Sequence, residues 1–222
     1  MENKSINILN ILIPIILLIG LMINSIIDYP EIFDKAKWTV ITVFVVVIGY
    51  IVFWIFLKPD RSSNNGGFII GFLFIINISI EEFINWQTKN GSLVSTLIMM
   101  FMIFISFSII SAIKTFKTEN IFTGLKSSLI SALLGTIIAL CFGFLINYVF
   151  SERMILTLKG YPGYNDFSNP KVFIFYNAFD NASNHLIFAP AVSIIMGLFG
   201  GLATLFILRL IKKTDTYKNT KQ

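Results

Sequence analysis

The chain reads as an all-α, polytopic integral membrane bundle of six transmembrane helices. Both termini are expected on the cytoplasmic side, with a short interfacial helix in the outer loop between helices five and six. Three observations predict this. The 222 residues are 55% hydrophobic and only 13% charged, with a mean hydropathy of +0.79, too apolar for a water-soluble domain of this size. Six runs approach the roughly 20 apolar residues that a helix needs to cross about 30 Å of hydrocarbon. Lysine and arginine, finally, are shared unequally between alternate connections.

The first run, residues 6–27, follows a basic residue, as a signal peptide does. It is longer than a usual signal core and no A-x-A-like site follows, which predicts an uncleaved first span. Residues 38–57 include "VITVFVVVIGYIVFW", a composition that favours strands in water. In lipid the backbone finds no outside partner, so the run is expected to be helical. The third run, 67–86, is the weakest: its uncharged part, 67–80, would cover only about 21 Å at 1.5 Å per residue. It must carry Glu81 and Glu82 with it to finish the crossing. Runs 93–113, 127–150 and 186–211 complete the six. All are continuously apolar rather than alternating, which excludes a membrane barrel. Residues 1–222 are expected to form one transmembrane domain with 151–184 as its outer loop, and no internal repeat is visible.

Orientation follows from the positive-inside rule. Lys4, Lys58, Arg61, Lys114, Lys117, Lys126, Arg209, Lys212, Lys213, Lys218 and Lys221 fall on one set of alternate segments, against Lys35, Lys37, Lys89, Arg153, Lys159 and Lys171 on the other. The richer set is predicted to be cytoplasmic, and it includes both chain ends, as an even span count demands. Topology thereby accounts for the net charge of +5. Nucleic acid is excluded as a partner, because binding it needs basic residues gathered on a folded aqueous face. The partner of the surface is the lipid bilayer, with the plasma membrane of a prokaryotic cell as the expected location, and the basic tail "RLIKKTDTYKNTKQ" is expected against anionic lipid.

Helices in lipid attract one another by close packing and interhelical hydrogen bonds, so small residues at every fourth position mark contact faces. Span five carries Ser127, Ser131, Gly135, Ala139 and Gly143; span six carries Ala189, Ser193, Gly197 and Gly201, with Gly200 beside them. These stripes predict that spans five and six pack on each other, on a partner membrane subunit, or on a second copy of the chain. Gly67 and Gly71 begin a shorter stripe on span three, and Pro190 should bend span six near its outer end.

Polar residues collect at the outer ends of four spans. Asn77, Glu81 and Asn85 lie at i, i+4 and i+8 on span three, an edge too costly to turn toward lipid. Asn24 and Asp28 close span one, Asn147 closes span five, and Asp180, Asn181, Asn184 and His185 open span six. Together with Glu82 these predict an outward-facing polar vestibule lined by spans one, three, five and six. In the outer loop, "LKGYPGYNDFSNP" is turn-rich. After it Asn169 caps and Pro170 opens a short helix with Val172, Phe175, Tyr176 and Phe179 on its apolar face, an interfacial segment or a lid over the vestibule.

No catalytic residue, metal site or cofactor is expected. One histidine and one cysteine do not furnish the usual zinc ligand sets, Cys141 is too deep to pair with His185, and no nucleotide loop or nucleophile elbow occurs. Paired glutamates on a membrane helix also occur in CAAX-type intramembrane proteases. That pattern places an arginine four residues after its acids and uses two further histidines; here Trp86 stands in that place and His185 is alone. The layout resembles, in architecture only, the substrate-binding subunits of energy-coupling-factor importers or a small permease half, which implies capture of a small solute from outside. The expected function is thus a non-enzymatic solute-binding or transport component. The alternatives are an accessory, immunity or assembly subunit docked through spans five and six, and an intramembrane hydrolase using Glu81 and Glu82.

Overall fold

The computed structural model describes residues 2–84, 89–160 and 163–219, and within these the long apolar runs are helical. Among these, α1 spans Glu2–Asp28, α2 Glu31–Leu57, α3 Arg61–Ser79, α4 Lys89–Thr118, α5 Ile121–Val149, α6 Ser151–Leu158 and α7 Pro170–Asn219. No strand occurs among the described residues. Five stretches, Glu31–Leu57, Arg61–Phe83, Thr96–Thr118, Ile121–Val149 and Pro170–Lys213, are long and apolar enough to cross a membrane, and α1 adds the shorter Leu12–Asp28. Their outward faces are greasy: Val45, Val52 and Ile55 on α2, Leu97 and Phe101 on α4, and Ile195 and Phe199 on α7 are more than half exposed. A soluble protein does not present apolar surface on this scale, so the fold is consistent with an integral membrane protein.

Short connections fold neighbours back on each other. Lys58, in the left-handed conformation, ends α2, and Asp60 caps α3 by accepting from the Ser63 N–H at 2.9 Å. Glu119, also left-handed, separates α4 from α5, whose first turn Asn120 caps by accepting from the Phe122 N–H at 2.8 Å. Ion pairs join these turns to the other helices: Lys114 of α4 meets Asp60, and Lys212 of α7 lies 2.5 Å from Glu119. The opposite end is held by aromatic rings, with Tyr29 and Tyr148 packed on Phe175 at 5.3 and 4.6 Å. We call the two ends the basic pole and the aromatic pole.

α5 stands at the centre. Residues on all its faces are buried, among them Ser127, Ser128, Ser131, Leu134, Gly135, Thr136 and Phe144. In its basic half the packing is side chain against backbone. Ser63 and Ser127 hydroxyls lie 2.9 Å apart, Ser131 donates to the Ser63 carbonyl at 2.8 Å, and Ser128 donates to the Ser193 carbonyl of α7 at 3.0 Å. From α4, Ser108 and Ser111 donate to the Met196 and Gly197 carbonyls at 2.8 and 2.7 Å. Glycine makes this approach feasible: a Cβ on Gly200 would lie on the backbone of Ser108, and one on Gly135 would meet Ile70 of α3. The Ser127, Ser131 and Gly135 edge of α5 therefore faces α3, while Ser128 on the neighbouring face meets Gly197 and Ser193 of α7. Ala139 is buried near the cavity described below, and no atom lies within 4 Å of a Cβ built on Gly143. A Cβ on Gly201 would meet Ile121 of α5 and Thr115 of α4.

The outer connection departs from the sequence expectation. Residues 170–184 do not form a helix of their own: they are the first turns of α7, a single helix of 50 residues. Val172, Phe173, Phe175 and Phe179 are each at most 4% exposed. Their apolar face is satisfied by α1, α2 and α5, so it has no need of the lipid interface. The short helix of this connection is instead α6, inside the stretch that begins the outer loop. Pro190 lies within α7, where it leaves the Leu186 carbonyl without its helical N–H donor. The Tyr50 hydroxyl of α2 donates to that carbonyl, so the lost bond is replaced across helices.

Candidate functional site

Glu81 and Glu82 lie on a π-helical turn, Ile80–Ile84, that continues α3. Such turns widen a helix by one residue and break the i, i+4 register. A cavity of about 200 Å³ lies between the end of α3 with this turn, α5, α6 and α7. Its polar lining comprises Glu81, Glu82, Thr136, Asn147, Asn177, Asn181 and His185, set among Phe74, Ile78, Leu140, Phe144 and Met154.

Each polar group is placed by its own element. Glu81 Oε1 accepts from the Thr96 hydroxyl of α4 at 2.8 Å and from Asn77 Nδ2 one turn earlier at 3.3 Å. Asn77 itself is 9% exposed, so this edge faces protein, and its Oδ1 has no hydrogen-bond partner. His185 sets its ring edge-on to Phe74 at 6.0 Å between centroids. From α6, Arg153 donates to the Phe83 carbonyl at 3.0 Å and lies 5.0 Å over the Phe83 ring. Glu152 and Lys171 pair at 3.3 Å beside it. Thr136 is 1% exposed, and its hydroxyl has no partner.

Of the sequence-predicted vestibule, the structure brings Glu81, Glu82, Asn147 and His185 together and sets Asn77 behind them. The other four stand apart. Asn24 donates to Asp28 at 2.8 Å and to the Tyr148 hydroxyl at 3.2 Å, and α1 does not reach the cavity. Asp180 and Asn184 are exposed on another side of α7. Asn85 and Trp86 lie outside the described residues, as do the side chains of Lys4, Lys89, Lys218 and Lys221. Asn181, which the sequence also placed at the opening of span six, lines the cavity with Asn147 and His185, whereas sequence reasoning missed Asn177 and Thr136. Asn177, Asn181 and His185 follow one another at i, i+4 and i+8, a stripe that becomes legible once 170–184 is continuous with span six. Among the described residues, no three His, Cys, Asp or Glu side chains come together as metal ligands do.

No protein-family model matches the chain, no curated protein matches it, and no solved structure matches it.

Proposed function

We propose that this chain is a six-span membrane protein, both ends cytoplasmic, that receives a small solute in the cavity at its aromatic pole. The carrying observation is the cavity itself. Polar side chains from three elements converge on a partly open cavity and stand there among apolar ones; Glu81 is held by Thr96 and Asn77, while Asn181 and His185 are exposed. This is the composition of a small-molecule site. A prokaryotic plasma membrane is the location we infer with it.

Support for the topology comes from which ends meet. Asp60 with Lys114 and Glu119 with Lys212 gather the α2–α3 turn, the α4–α5 turn and the end of α7 at one pole. Asn24 with Tyr148, and Tyr29 with Phe175, gather the ends of α1 and α5 and the start of α7 at the other. The basic pole holds the lysine-rich segments, the side the positive-inside rule assigns to the cytoplasm. In a Cys141→Ala background, an impermeant thiol reagent added to intact cells should label Lys159→Cys and leave Asn120→Cys unlabelled; the reverse pattern overturns the orientation.

Most of the glycine and serine stripes pack within the chain, with Gly143 left open, which favours the solute-binding reading over the docking one. Solute binding is tested by thermal unfolding of the purified protein in nanodiscs against amines, amino acids, nucleosides and vitamins. Stabilisation by at least one class should disappear in Gly143→Leu, which fills the cavity from a position with open space around its Cβ. Stabilisation that survives this filling would remove the cavity from the function.

A further inference from the structure

We propose that the cavity takes the head of a membrane amphiphile: a compact, hydroxyl-bearing head lodges among the Asn147, Asn177 and Asn181 amides while its hydrocarbon chain runs down the exposed face of α7. This rests on the solute-binding reading above and names its ligand class. The path of α7 carries it. Asn181 and His185 line the cavity and are also exposed, so the cavity reaches the surface along their face of the helix. At 3.6 residues per turn, Asn181, His185, Phe188, Ile195 and Phe199 fall within about 40° of one line. The last three are more than half exposed. One straight edge of α7 therefore leads from polar groups at the cavity to open hydrocarbon below it.

On the orientation proposed above, the basic pole sets the level of that edge in the membrane. About 20 helical residues cover the roughly 30 Å of hydrocarbon. Counted outward from Arg209 on α7 they end at Ala189, and from Arg61 on α3 they end at Glu81. Trp38, strongly exposed near the start of α2, marks the same level as an interfacial ring does. Asn181 and His185 thus stand among headgroups, Phe188 meets the boundary, and Ile195 and Phe199 stand among acyl chains. A water-borne solute would use only the first of these levels; an amphiphile uses all of them, in the order in which a leaflet presents them. An amide both donates and accepts, as a hydroxyl does. An apolar cavity of about 150 Å³ holds benzene. At about 200 Å³ the cavity here suits a head of about six to nine non-hydrogen atoms, a glycerol and its ester linkage.

The test uses the full chain in nanodiscs and 1-monolauroylglycerol with a photoactivated diazirine halfway along its chain. Photolysis should label residues 188–199 of α7 about tenfold more than the equally greasy face of α2 at Val45 and Val52, the ratio that a tenfold tighter site gives. Gly143→Leu, which fills the cavity, should bring α7 down to the level of α2. Unlabelled 1-monolauroylglycerol should compete for α7 about tenfold better than methyl laurate, whose chain is the same and whose head has no hydroxyl, as one or two net hydrogen bonds provide. Asn181→Leu, at an exposed position, should weaken competition by the first compound and leave the second unchanged. Equal labelling of the two helices, labelling of α7 that survives Gly143→Leu, or equal competition by the two compounds overturns the proposal. A compound of the water-borne panel whose stabilisation is then lost in Gly143→Leu would leave the solute-binding reading standing, whereas the lack of any such compound would remove both.

Discussion

The two halves of the bundle use polar residues in opposite ways. In the basic half, serine hydroxyls reach across helices to backbone carbonyls, and glycines bring backbones so close that no further group fits. In the aromatic half, rings hold the helices at 4.6 to 5.3 Å between centroids, while carboxylates, amides and a hydroxyl surround a cavity. Serine hydroxyls of the basic half satisfy themselves on a neighbouring backbone. In the aromatic half the polar side chains gather around a space instead, and that space is the candidate site.

The same substitution placed in each half tests this difference. Gly200→Ala drives a methyl into the Ser108 backbone and should cost about 3 kcal/mol, the upper range for overpacking, seen as a loss of thermal stability in nanodiscs. Tyr50→Phe leaves the Leu186 carbonyl unpaired beside Pro190 and should cost about 1.5 kcal/mol; no change would show that the proline needs no outside donor. Ser131→Ala removes one cross-helix bond and should cost about 0.6 kcal/mol, the usual worth of such bonds in lipid. Gly143→Ala, with nothing near its Cβ, should stabilise by about 0.5 kcal/mol through helix propensity. The two glycine-to-alanine changes should therefore differ in sign; a shared sign would erase the contrast between the halves.

The smallest effect expected is that of acid on the basic pole. Burial pushes the Asp60 carboxyl up, but the Lys114 ammonium together with the Ser63 hydroxyl and N–H outweighs it and holds the group at about 2. A folded value below the ordinary one means that the stabilisation is complete above about pH 4 and is lost as pH falls toward 2. Solvent screening at this partly exposed pair limits it to about 0.5 kcal/mol. Unfolding measured between pH 5 and 2.5 should show a small slope that Asp60→Asn removes.

Hydropathy made the apolar runs legible, because continuous apolar length is a local property of the chain. The contact edges of α5 were legible for the same reason: Ser127, Ser131 and Gly135 recur at a fixed interval. Which neighbour they meet was not, since α3 offers Gly67 and Gly71 and α7 offers Gly197 and Gly201 in the same pattern. The intervening small residues, Ser128, Ala132 and Thr136, carry the further message that the middle of α5 is covered on all its faces. Reading 170–184 as a separate helix hid the Asn177, Asn181 and His185 stripe. Asn177 was passed over as part of a loop. The π-turn at Glu81 and Glu82 has no sequence signature, because one inserted residue leaves composition and period almost unchanged.

The length of α7 has a consequence for what surrounds it. Its apolar stretch, Pro170–Lys213, is 44 residues, which is about 66 Å of helix against about 30 Å of hydrocarbon. Tilt alone would have to reach about 60°, three times the usual lean of a spanning helix. Part of α7 therefore has no acyl chains to face, and on the orientation proposed above the turns that carry the buried Phe173, Phe175 and Phe179 belong to that excess length, closed over by protein and not by lipid.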